Sequence, residues 1–482
     1  MSEGLWTAYE AAAATGGALC ARGGDPDRWF AEEWAASGVS IDTRTIKPGE
    51  LFVALKDARD GHEFLQSAFD KGASAALVAR APEDAPDGAP LLLVHDTLEG
   101  LRDLAAAARL RNFGKRIGVT GSVGKTTVKE MLRTALAVGG EVHAADKSFN
   151  NHWGVPLTLA ALPMRADYGV FEIGMNHAGE ITPLSQLVAP HVAIITTVAA
   201  AHLEFFDSVE MIAEAKAEIF AGVVRGGAAV LPIDNEHFPI LRQRAEEAGI
   251  SKLLTFGESA DADVRLNTYE ESPGGARITA ALFDREISYA LGAPGKHHAV
   301  NSLAVLAACA AAGADVDAAA GALKDHGAGA GRGARQEISI DDGSITLIDE
   351  SYNANPTSMA AAIALLGAAR PRGTGRRIAL LGDMLELGPD APKFHADLAP
   401  HLIDAGVDRL YVSGGFMRHL HDAAPAAMRA GAGETLDAVA SAILGELQDG
   451  DVLLVKGSNA SGVSALIGML ERASLEKKRK TG

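Results

Sequence analysis

Cysteine, positive charge and long apolar runs are all scarce in this chain of 482 residues. Its only cysteines, Cys20 and Cys309, lie far apart and lack metal-ligand spacing, which argues against a cysteine metal site and fits a reducing compartment. The first residues lack the basic and apolar segments of a signal peptide, so we expect a cytoplasmic protein. No apolar run approaches the roughly 20 residues of a membrane span, so we expect no membrane insertion.

Negative charge clearly exceeds positive charge. Lys and Arg together number 44, against 62 for Asp and Glu, which gives a net charge of −18. Such a balance disfavours nucleic acids and anionic membranes as partners, so we expect no nucleic-acid binding. At about 150 residues per domain the length predicts roughly three domains. A monomer is our default expectation.

Loops and a glycine-rich segment divide the chain into three predicted α/β domains. The first, residues 1–111, combines short apolar strands with helical segments. In the second, residues 112–332, β-rich runs alternate with helical patterns, which predicts a mostly parallel sheet. The glycine-rich residues 327–333 predict a hinge before the third domain, residues 333–482. Its predicted strands all end in glycine-containing turns, where parallel sheets bind ligands: 377–381, 409–412 and 452–455.

A glycine-rich turn at residues 118–127, Gly-Val-Thr-Gly-Ser-Val-Gly-Lys-Thr-Thr, joins a predicted strand to a predicted helix. Glycines let backbone N–H groups close around phosphate oxygens, and the helix N-terminus adds partial positive charge. The glycine spacing differs from the usual phosphate loop, and an ordinary glycine turn is the alternative. We predict an ATP site at this turn, formed by Gly121, Ser122, Gly124, Lys125, Thr126 and Thr127.

Three further polar residues are expected beside this turn. Glu172 ends the second predicted strand of the central domain and His202 follows the third, so both should lie at the edge of the sheet that carries the phosphate loop. Lys216 lies on the next predicted helix. Glu172 is a candidate metal ligand, although a structural hydrogen bond would explain it equally well. Histidine is an unusual Mg²⁺ ligand and a charged lysine has no lone pair, so structural roles remain open for both.

Short motifs spread over residues 41–458 resemble those of the Mur ligase family. They include Asn-Asn-His-Trp-Gly-Val-Pro at 150–156, Glu-Ile-Gly-Met-Asn at 172–176, Ala-His-Leu-Glu at 201–204, Ala-Lys-Ala-Glu-Ile-Phe at 215–220, Ser-Tyr-Asn-Ala-Asn-Pro at 351–356 and Gly-Asp-Met-Leu-Glu-Leu-Gly at 382–388, besides the phosphate loop. The chain departs from the family pattern at His298, where Asn is usual, and at Glu350, where Asp is frequent. The resemblance implies an N-terminal UDP-sugar domain, a central ATPase-type domain and a C-terminal Rossmann-like domain.

Beside the phosphate loop, the resemblance implies two Mg²⁺ ions. Thr126 and Glu172 would hold the first together with the ATP phosphates. Glu172, His202 and Lys216 would surround the second. Lys216 would carry a carbamate derived from CO₂, which replaces an ammonium group by a carboxylate. Lys125, Glu172, His202 and Lys216 are the catalytic residues that the resemblance implies.

The resemblance also assigns contacts to ATP and to the two other substrates. It implies ATP contacts for Asn301, Arg332, Asp349 and Tyr352. It implies UDP contacts for Asp42, Thr43 and Arg44, whose guanidinium can bind diphosphate oxygens through two hydrogen bonds. It implies sugar-peptide contacts for Asn150 and Asn151, and dipeptide contacts for Asp383 and Lys456. Without the resemblance these residues fit ordinary turns, polar loops and surface charges equally well.

The activity implied by the resemblance is ATP-dependent amide formation. It would join the terminal carboxylate of UDP-N-acetylmuramoyl tripeptide to the amine of D-alanyl-D-alanine, through an acyl phosphate, as the last cytoplasmic step of UDP-N-acetylmuramoyl pentapeptide synthesis for peptidoglycan. A related ligase that adds a single amino acid, or that acts on folate, is one alternative. A nucleotide-gated switch that makes no amide is the other.

Overall fold

The computed structural model describes residues 4–21, 34–81, 85–201, 203–272 and 274–481, the last six of these by their backbone alone. Three larger β-sheets follow one another along the chain and helices pack against them, so the expected three-domain α/β fold is confirmed. The proposed domain boundaries after Arg111 and Arg332 fall between these sheets. Among the described residues, no helix is both long and apolar enough to cross a membrane.

The N-terminal sheet has the strand order β2-β7-β6-β5-β4, with β2 antiparallel at one edge. A capping box begins α1, because the Thr7 hydroxyl accepts from the Glu10 N–H and the Glu10 carboxylate accepts from the Thr7 N–H. The Trp6 indole donates to the Ala160 carbonyl at 2.9 Å and ties this domain to the next one. The elements are β1 (Trp6–Thr7), α1 (Ala8–Thr15), β2 (Ala18–Ala21), β3 (Ala35–Ala36), β4 (Gly38–Ser40), β5 (Glu50–Val53), α2 (Leu65–Asp70), β6 (Ala75–Val78), β7 (Pro90–Leu93) and α3 (Thr97–Arg111).

The central sheet has the strand order β16-β15-β14-β13-β12-β11-β8-β10-β9 within the described residues. Strands β8 to β13 run parallel to their neighbours, as expected, and β14 is parallel to β13, whereas the antiparallel pairing of β14 with β15 and of β15 with β16 was not anticipated. The elements are β8 (Lys115–Thr120), α4 (Lys125–Leu136), β9 (Val142–Ala144), α5 (Gly154–Ala160), β10 (Tyr168–Glu172), α6 (Ile181–Val188), β11 (Val192–Ile195), α7 (Val209–Ala217), β12 (Ala228–Pro232), α8 (Phe238–Glu247), β13 (Lys252–Gly257), β14 (Val264–Ser272), β15 (Gly275–Leu282), β16 (Arg285–Leu291), α9 (Lys296–Ala312) and α10 (Val316–Ala322).

The C-terminal sheet has the strand order β17-β18-β22-β19-β20-β21, in which β17 and β18 form the expected hairpin and the other pairs are parallel. The elements are β17 (Ala334–Ile340), β18 (Gly343–Asp349), α11 (Pro356–Ala368), β19 (Arg377–Gly382), α12 (Ala391–Ala396), α13 (Ala399–Asp404), β20 (Arg409–Ser413), α14 (Met417–Ala423), β21 (Arg429–Gly433), α15 (Asp437–Glu446), β22 (Val452–Lys456) and α16 (Ala465–Thr481).

The centre of the middle domain fixes the position of the site. Strands β8, β10 and β11 are buried because helices cover both faces: Ile117 and Val119 pack in one core, and Phe171 and Ile195 pack in the other. Register pairs Glu172 with Val119, and Ile195 with Thr120. The carboxyl ends of all three strands therefore meet at one edge, where the phosphate loop begins.

Candidate active site

The turn between β8 and α4 can be built only with glycine at two positions. Gly121 has φ +148° and Gly124 has φ +87°, and a Cβ on Gly121 would collide with the Thr196 hydroxyl. Lys125 begins α4, and its Nζ donates to the Gly121 carbonyl at 2.7 Å. Burial lowers the pKa of Lys125, and the nearby Glu172 carboxylate opposes that change. The turn thus offers backbone N–H groups, a helix N-terminus and a lysine to an anion.

A chain of hydrogen bonds connects the phosphate loop to the strand that ends beside it. The Thr126 hydroxyl donates to Glu172 Oε2 at 2.7 Å and lies 2.9 Å from the Ser148 hydroxyl. Asn150 Nδ2 donates to Glu172 Oε1 at 2.8 Å. Glu172 is 4% exposed. Two hydroxyls and a carboxylate therefore meet where the phosphates of a nucleotide would lie, an oxygen-only donor set that suits Mg²⁺.

Lys216 is buried within the central domain. It lies near the end of α7 and is 2% exposed, so it does not belong to a solvated helix face. Burial, and next the positive charge of Lys125, lower the pKa of Lys216 well below its ordinary value. His202, its expected neighbour, lies outside the described residues.

Many of the predicted nucleotide-binding residues border a cavity of about 1140 Å³ between the central and C-terminal domains. Asn301 lies on α9 against Gly124. Arg332 in the hinge and Tyr352 beyond it line the same cavity. The Arg332 guanidinium stacks 3.9 Å from the Tyr352 ring centroid, and its Nη2 donates to the Ser148 hydroxyl at 3.3 Å. The predicted residues that line this cavity are Ser122, Gly124, Lys125, Thr126, Thr127, Asn150, Asn151, Glu172, Asn301, Arg332, Tyr352 and Lys456.

Several predicted site residues already have structural partners. Both carboxylate oxygens of Asp349 accept hydrogen bonds, from the Gly331 N–H and from Ser351. Asp383 accepts from the N–H groups of Phe416 and Met417 at the start of α14. Lys456 is 2% exposed and donates to Asn353 O at 2.8 Å and to Glu350.

The predicted UDP-binding turn lies in the N-terminal domain, after β4. Arg44 makes a bidentate contact with Asp42, at 2.7 Å for the shortest pair, while its side chain stays 79% exposed. Hydrogen bonds from Arg44 lower the pKa of Asp42 to about 2. Lys71 Nζ donates to the Thr43 carbonyl at 2.6 Å, and the charge of Lys147 also acts on Asp42. An exposed arginine and two lysines thus surround this turn.

Family comparisons cover each of the three domains. The description "Mur ligase family, catalytic domain" matches residues 35–109, "Mur ligase middle domain" matches 119–309, and "Mur ligase, glutamate ligase domain" matches 334–459. The chain belongs to the Mur ligase family.

Named relatives and solved structures agree with this membership. The UDP-N-acetylmuramoyl-tripeptide–D-alanyl-D-alanine ligase of Rickettsia prowazekii is 32% identical over 429 residues, covering 89% of this chain and 94% of that protein. The Bacillus subtilis enzyme of the same name is 37% identical and covers 80% and 81%. A MurF structure from Acinetobacter baumannii superposes with a TM-score of 0.82 at 30% identity, covering 97% and 99%. MurF ligase from Thermotoga maritima in complex with ADP gives 0.75 at 26% identity, covering 91% and 98%.

Two residues beside the phosphate loop, Ser148 and Lys129, were not predicted from the sequence. Ser148 links Thr126 to Arg332, and it could have been found because it lies two residues before Asn150. Lys129, one helical turn after Lys125, is fully buried, and no motif marks it. Its Nζ donates to the carbonyls of Ala145 at 2.6 Å and Lys147 at 3.1 Å. Lys129 therefore anchors the loop that carries Ser148 and Asn150.

Replacing Lys129 by glutamine is expected to lower kcat about tenfold and to raise the Mg²⁺ concentration that half-saturates the reaction. A glutamine cannot reach both loop carbonyls, so Ser148 and Asn150 lose their fixed positions beside Glu172. Mg²⁺ titrations of the rate check this, with the exposed Lys252→Gln as the matched control. A lower melting temperature with an unaltered Mg²⁺ dependence would reduce Lys129 to a purely structural role.

Proposed function

We propose that this chain is an ATP-dependent ligase that joins D-alanyl-D-alanine to UDP-N-acetylmuramoyl tripeptide. The main observation behind the proposal is the hydrogen bond from the Thr126 hydroxyl to Glu172. It brings together oxygen donors suited to a metal ion, beside the glycine-rich phosphate loop. A large cavity shared by two domains offers room for a nucleotide and two acyl-transfer partners. The names of the relatives support the choice of substrates.

The first chemical step is activation of a carboxylate. An oxygen of the tripeptide carboxylate attacks the γ-phosphorus of ATP, the bond to the β–γ bridging oxygen breaks, and ADP leaves with that electron pair. Lys125 and the N-terminus of α4 stabilise the charge that accumulates on the transferred phosphoryl group. Asn150, held by Glu172, orients the carboxylate from the opposite side.

The second step is capture of the acyl phosphate. The neutral amine of the dipeptide attacks the acyl carbon and forms a tetrahedral intermediate. This intermediate loses the proton of the attacking nitrogen and expels phosphate, which leaves with the electron pair of the broken C–O bond. Water would hydrolyse the acyl phosphate, so the cavity has to close. Arg332 lies at the hinge, stacks on Tyr352 and donates to Ser148 of the central domain, which suits this pair to couple nucleotide binding to closure.

Mg²⁺ would be held by Thr126, Glu172 and Ser148, whose oxygens match its preference. When bound, it neutralises charge on the phosphate oxygens. A second Mg²⁺ would use Glu172, His202 and a carbamate on Lys216. Carbamate forms when the neutral Nζ bonds to the carbon of CO₂ and releases one proton. The lowered pKa of Lys216 favours this reaction.

Replacing Arg44 by alanine is expected to raise the KM for the UDP substrate about tenfold and to leave the KM for ATP unchanged. A charge-assisted hydrogen bond to a diphosphate contributes roughly 1.5–3 kcal/mol, part of which is offset by the lost pairing with Asp42. Arg80→Ala is the matched control, since Arg80 pairs with Asp60 at 2.9 Å and is 58% exposed. Equal changes in both KM values would contradict a UDP role for this turn.

Phosphate release, measured with ATP, Mg²⁺ and UDP-N-acetylmuramoyl tripeptide, tests the proposed function directly. We expect release to require D-alanyl-D-alanine, and the product mass to rise by one dipeptide minus water. Preference for a single amino acid as acceptor would identify a different ligase of the family. Release that is indifferent to any acceptor would identify a nucleotide-gated switch.

A further inference from the structure

Two histidines and a glutamate meet beside the hinge, in the cavity that Glu172 also lines. His297 and His298 lie in the first turn of α9, and Glu350 directly follows β18. Each offers one ligand atom, and these atoms lie within 4.8 Å of one another. His298 and Glu350 are buried. The cluster thus draws its residues from both the central and the C-terminal domain.

His298 has an unmet requirement for partners. Both of its ring nitrogens are buried, and neither has a hydrogen-bond partner in the part of the chain that the structure describes. An unpaired buried polar group is costly, so it calls for a bound water or ion. Burial lowers the pKa of His297 to about 4 and that of His298 well below its ordinary value. Both rings are therefore neutral near pH 7 and keep lone pairs for a ligand.

The charges around the cluster decide which ligand fits. Glu350 Oε2 faces Lys456 Nζ at 3.5 Å, while Oε1 lies beside Gly333, as does His298 Nε2. Burial raises the pKa of Glu350, and the nearby Lys456 and Arg332 oppose that rise. The positive charges of Lys456 and Arg332 repel a metal ion at this cluster. Burial lowers the pKa of Lys456, which makes it easier for this lysine to lose its proton. Positive charges this close disfavour a hard ion such as Mg²⁺, which is held mainly by electrostatic attraction.

We propose that His297, His298 and Glu350 form a site for a divalent transition-metal ion of the zinc class. Two imidazoles and one carboxylate, with a fourth position left open, are a donor set that zinc accepts, whereas Mg²⁺ prefers oxygens alone. Zinc bonds of about 2.0–2.2 Å require the three ligand atoms, which now lie within 4.8 Å of one another, to move closer together on binding. A bound ion would bridge the two domains across Gly331–Gly333.

The metal would also interfere with nucleotide binding. His297 lies one helical turn before Asn301 on the same face of α9, and both line the large cavity. Zinc is therefore expected to raise the apparent KM for MgATP several-fold in the wild-type protein and not in His298→Asn. This consequence rests on the proposed function, whereas the metal site does not.

Cobalt titration of the metal-free full-length protein tests the site without any assay of activity. We expect one equivalent of Co²⁺ to give the intense visible bands of four-coordinate nitrogen and oxygen ligation, and Zn²⁺ to remove them. His298→Ala and the nearly isosteric Glu350→Gln should each weaken Co²⁺ binding at least about tenfold. The exposed His401→Ala, on α13, serves as a matched histidine control and should bind as the wild type does.

The results of the cobalt titration distinguish the proposed metal site from the proposed ligase activity. An absence of bands, or bands unchanged in both variants, would leave His298 hydrated and overturn the metal site, whatever the ligase activity. Bands that require His298 and Glu350 would establish the site even in a protein that forms no amide. Circular dichroism of Glu350→Gln distinguishes a lost ligand from a lost fold.

Discussion

Alanine in place of Lys216 is expected to slow dipeptide ligation by about a hundredfold to a thousandfold. This is the loss typical of removing one group that stabilises charge in the transition state. Lys216 is 2% exposed, and burial with the nearby Lys125 holds its pKa well below the ordinary value. Only a neutral amine has the lone pair that bonds to CO₂. Burial therefore favours the proposed conversion of this lysine into a carbamate.

Chemical rescue makes the prediction specific. Formate or acetate should restore part of the activity of Lys216→Ala, because the vacated space admits a carboxylate. Lys216→Met is the matched control, since it also removes the amine but fills the space, and it should not respond. Melting temperatures near that of the wild type would show that both variants fold. Full wild-type activity and an unmodified mass in buffer free of CO₂ and bicarbonate would overturn the carbamate proposal.

Local patterns were sufficient to predict that the glycine-rich turn and Glu172 lie at one edge of the central sheet. Strand β8 is a short apolar run that leads into Gly121, β10 is one that ends at Glu172, and parallel pairing brings such endings to one edge. The antiparallel pairing of β14, β15 and β16 was missed, although these strands alternate polar and apolar residues as strands with one buried face do. In β16 the buried positions are Ile287, Tyr289 and Leu291, which pack in the same core as α9. The family membership and the fold predicted from the motifs are confirmed.

Partners distant in sequence explain what could not be predicted. Asp383 and Lys456 stand at strand ends, where the sequence allows ligand contacts. In the structure the Asp383 carboxylate accepts from the N–H groups at the start of α14, and Lys456 pairs with Glu350, more than one hundred residues earlier. Whether a strand-end charge serves the fold or a ligand depends on such contacts, which no local motif contains. The substrate roles of both residues remain predictions.

Glutamine in place of Glu172 is expected to lower ligation about a thousandfold and to abolish the Mg²⁺-dependent gain in ATP affinity. The amide keeps the shape of the side chain and can still accept from Asn150 and donate to Thr126, so the local hydrogen bonds survive. Only the negative charge beside the phosphate loop is lost. A metal ion that neutralises phosphate charge contributes several kcal/mol to transition-state stability, and about 4 kcal/mol corresponds to that loss in rate.

Nucleotide binding, measured by calorimetry with and without Mg²⁺, separates a metal ligand from a structural carboxylate. Metal-free ATP should bind Glu172→Gln at least as well as the wild type, because a negative charge near the phosphates has been removed. Glu180→Gln is the matched control, since Glu180 lines the same cavity but accepts from the Asn176 N–H, away from the phosphate loop. An unchanged Mg²⁺ response in Glu172→Gln would mean that the carboxylate only positions Thr126 and Asn150, and that the ion lies elsewhere.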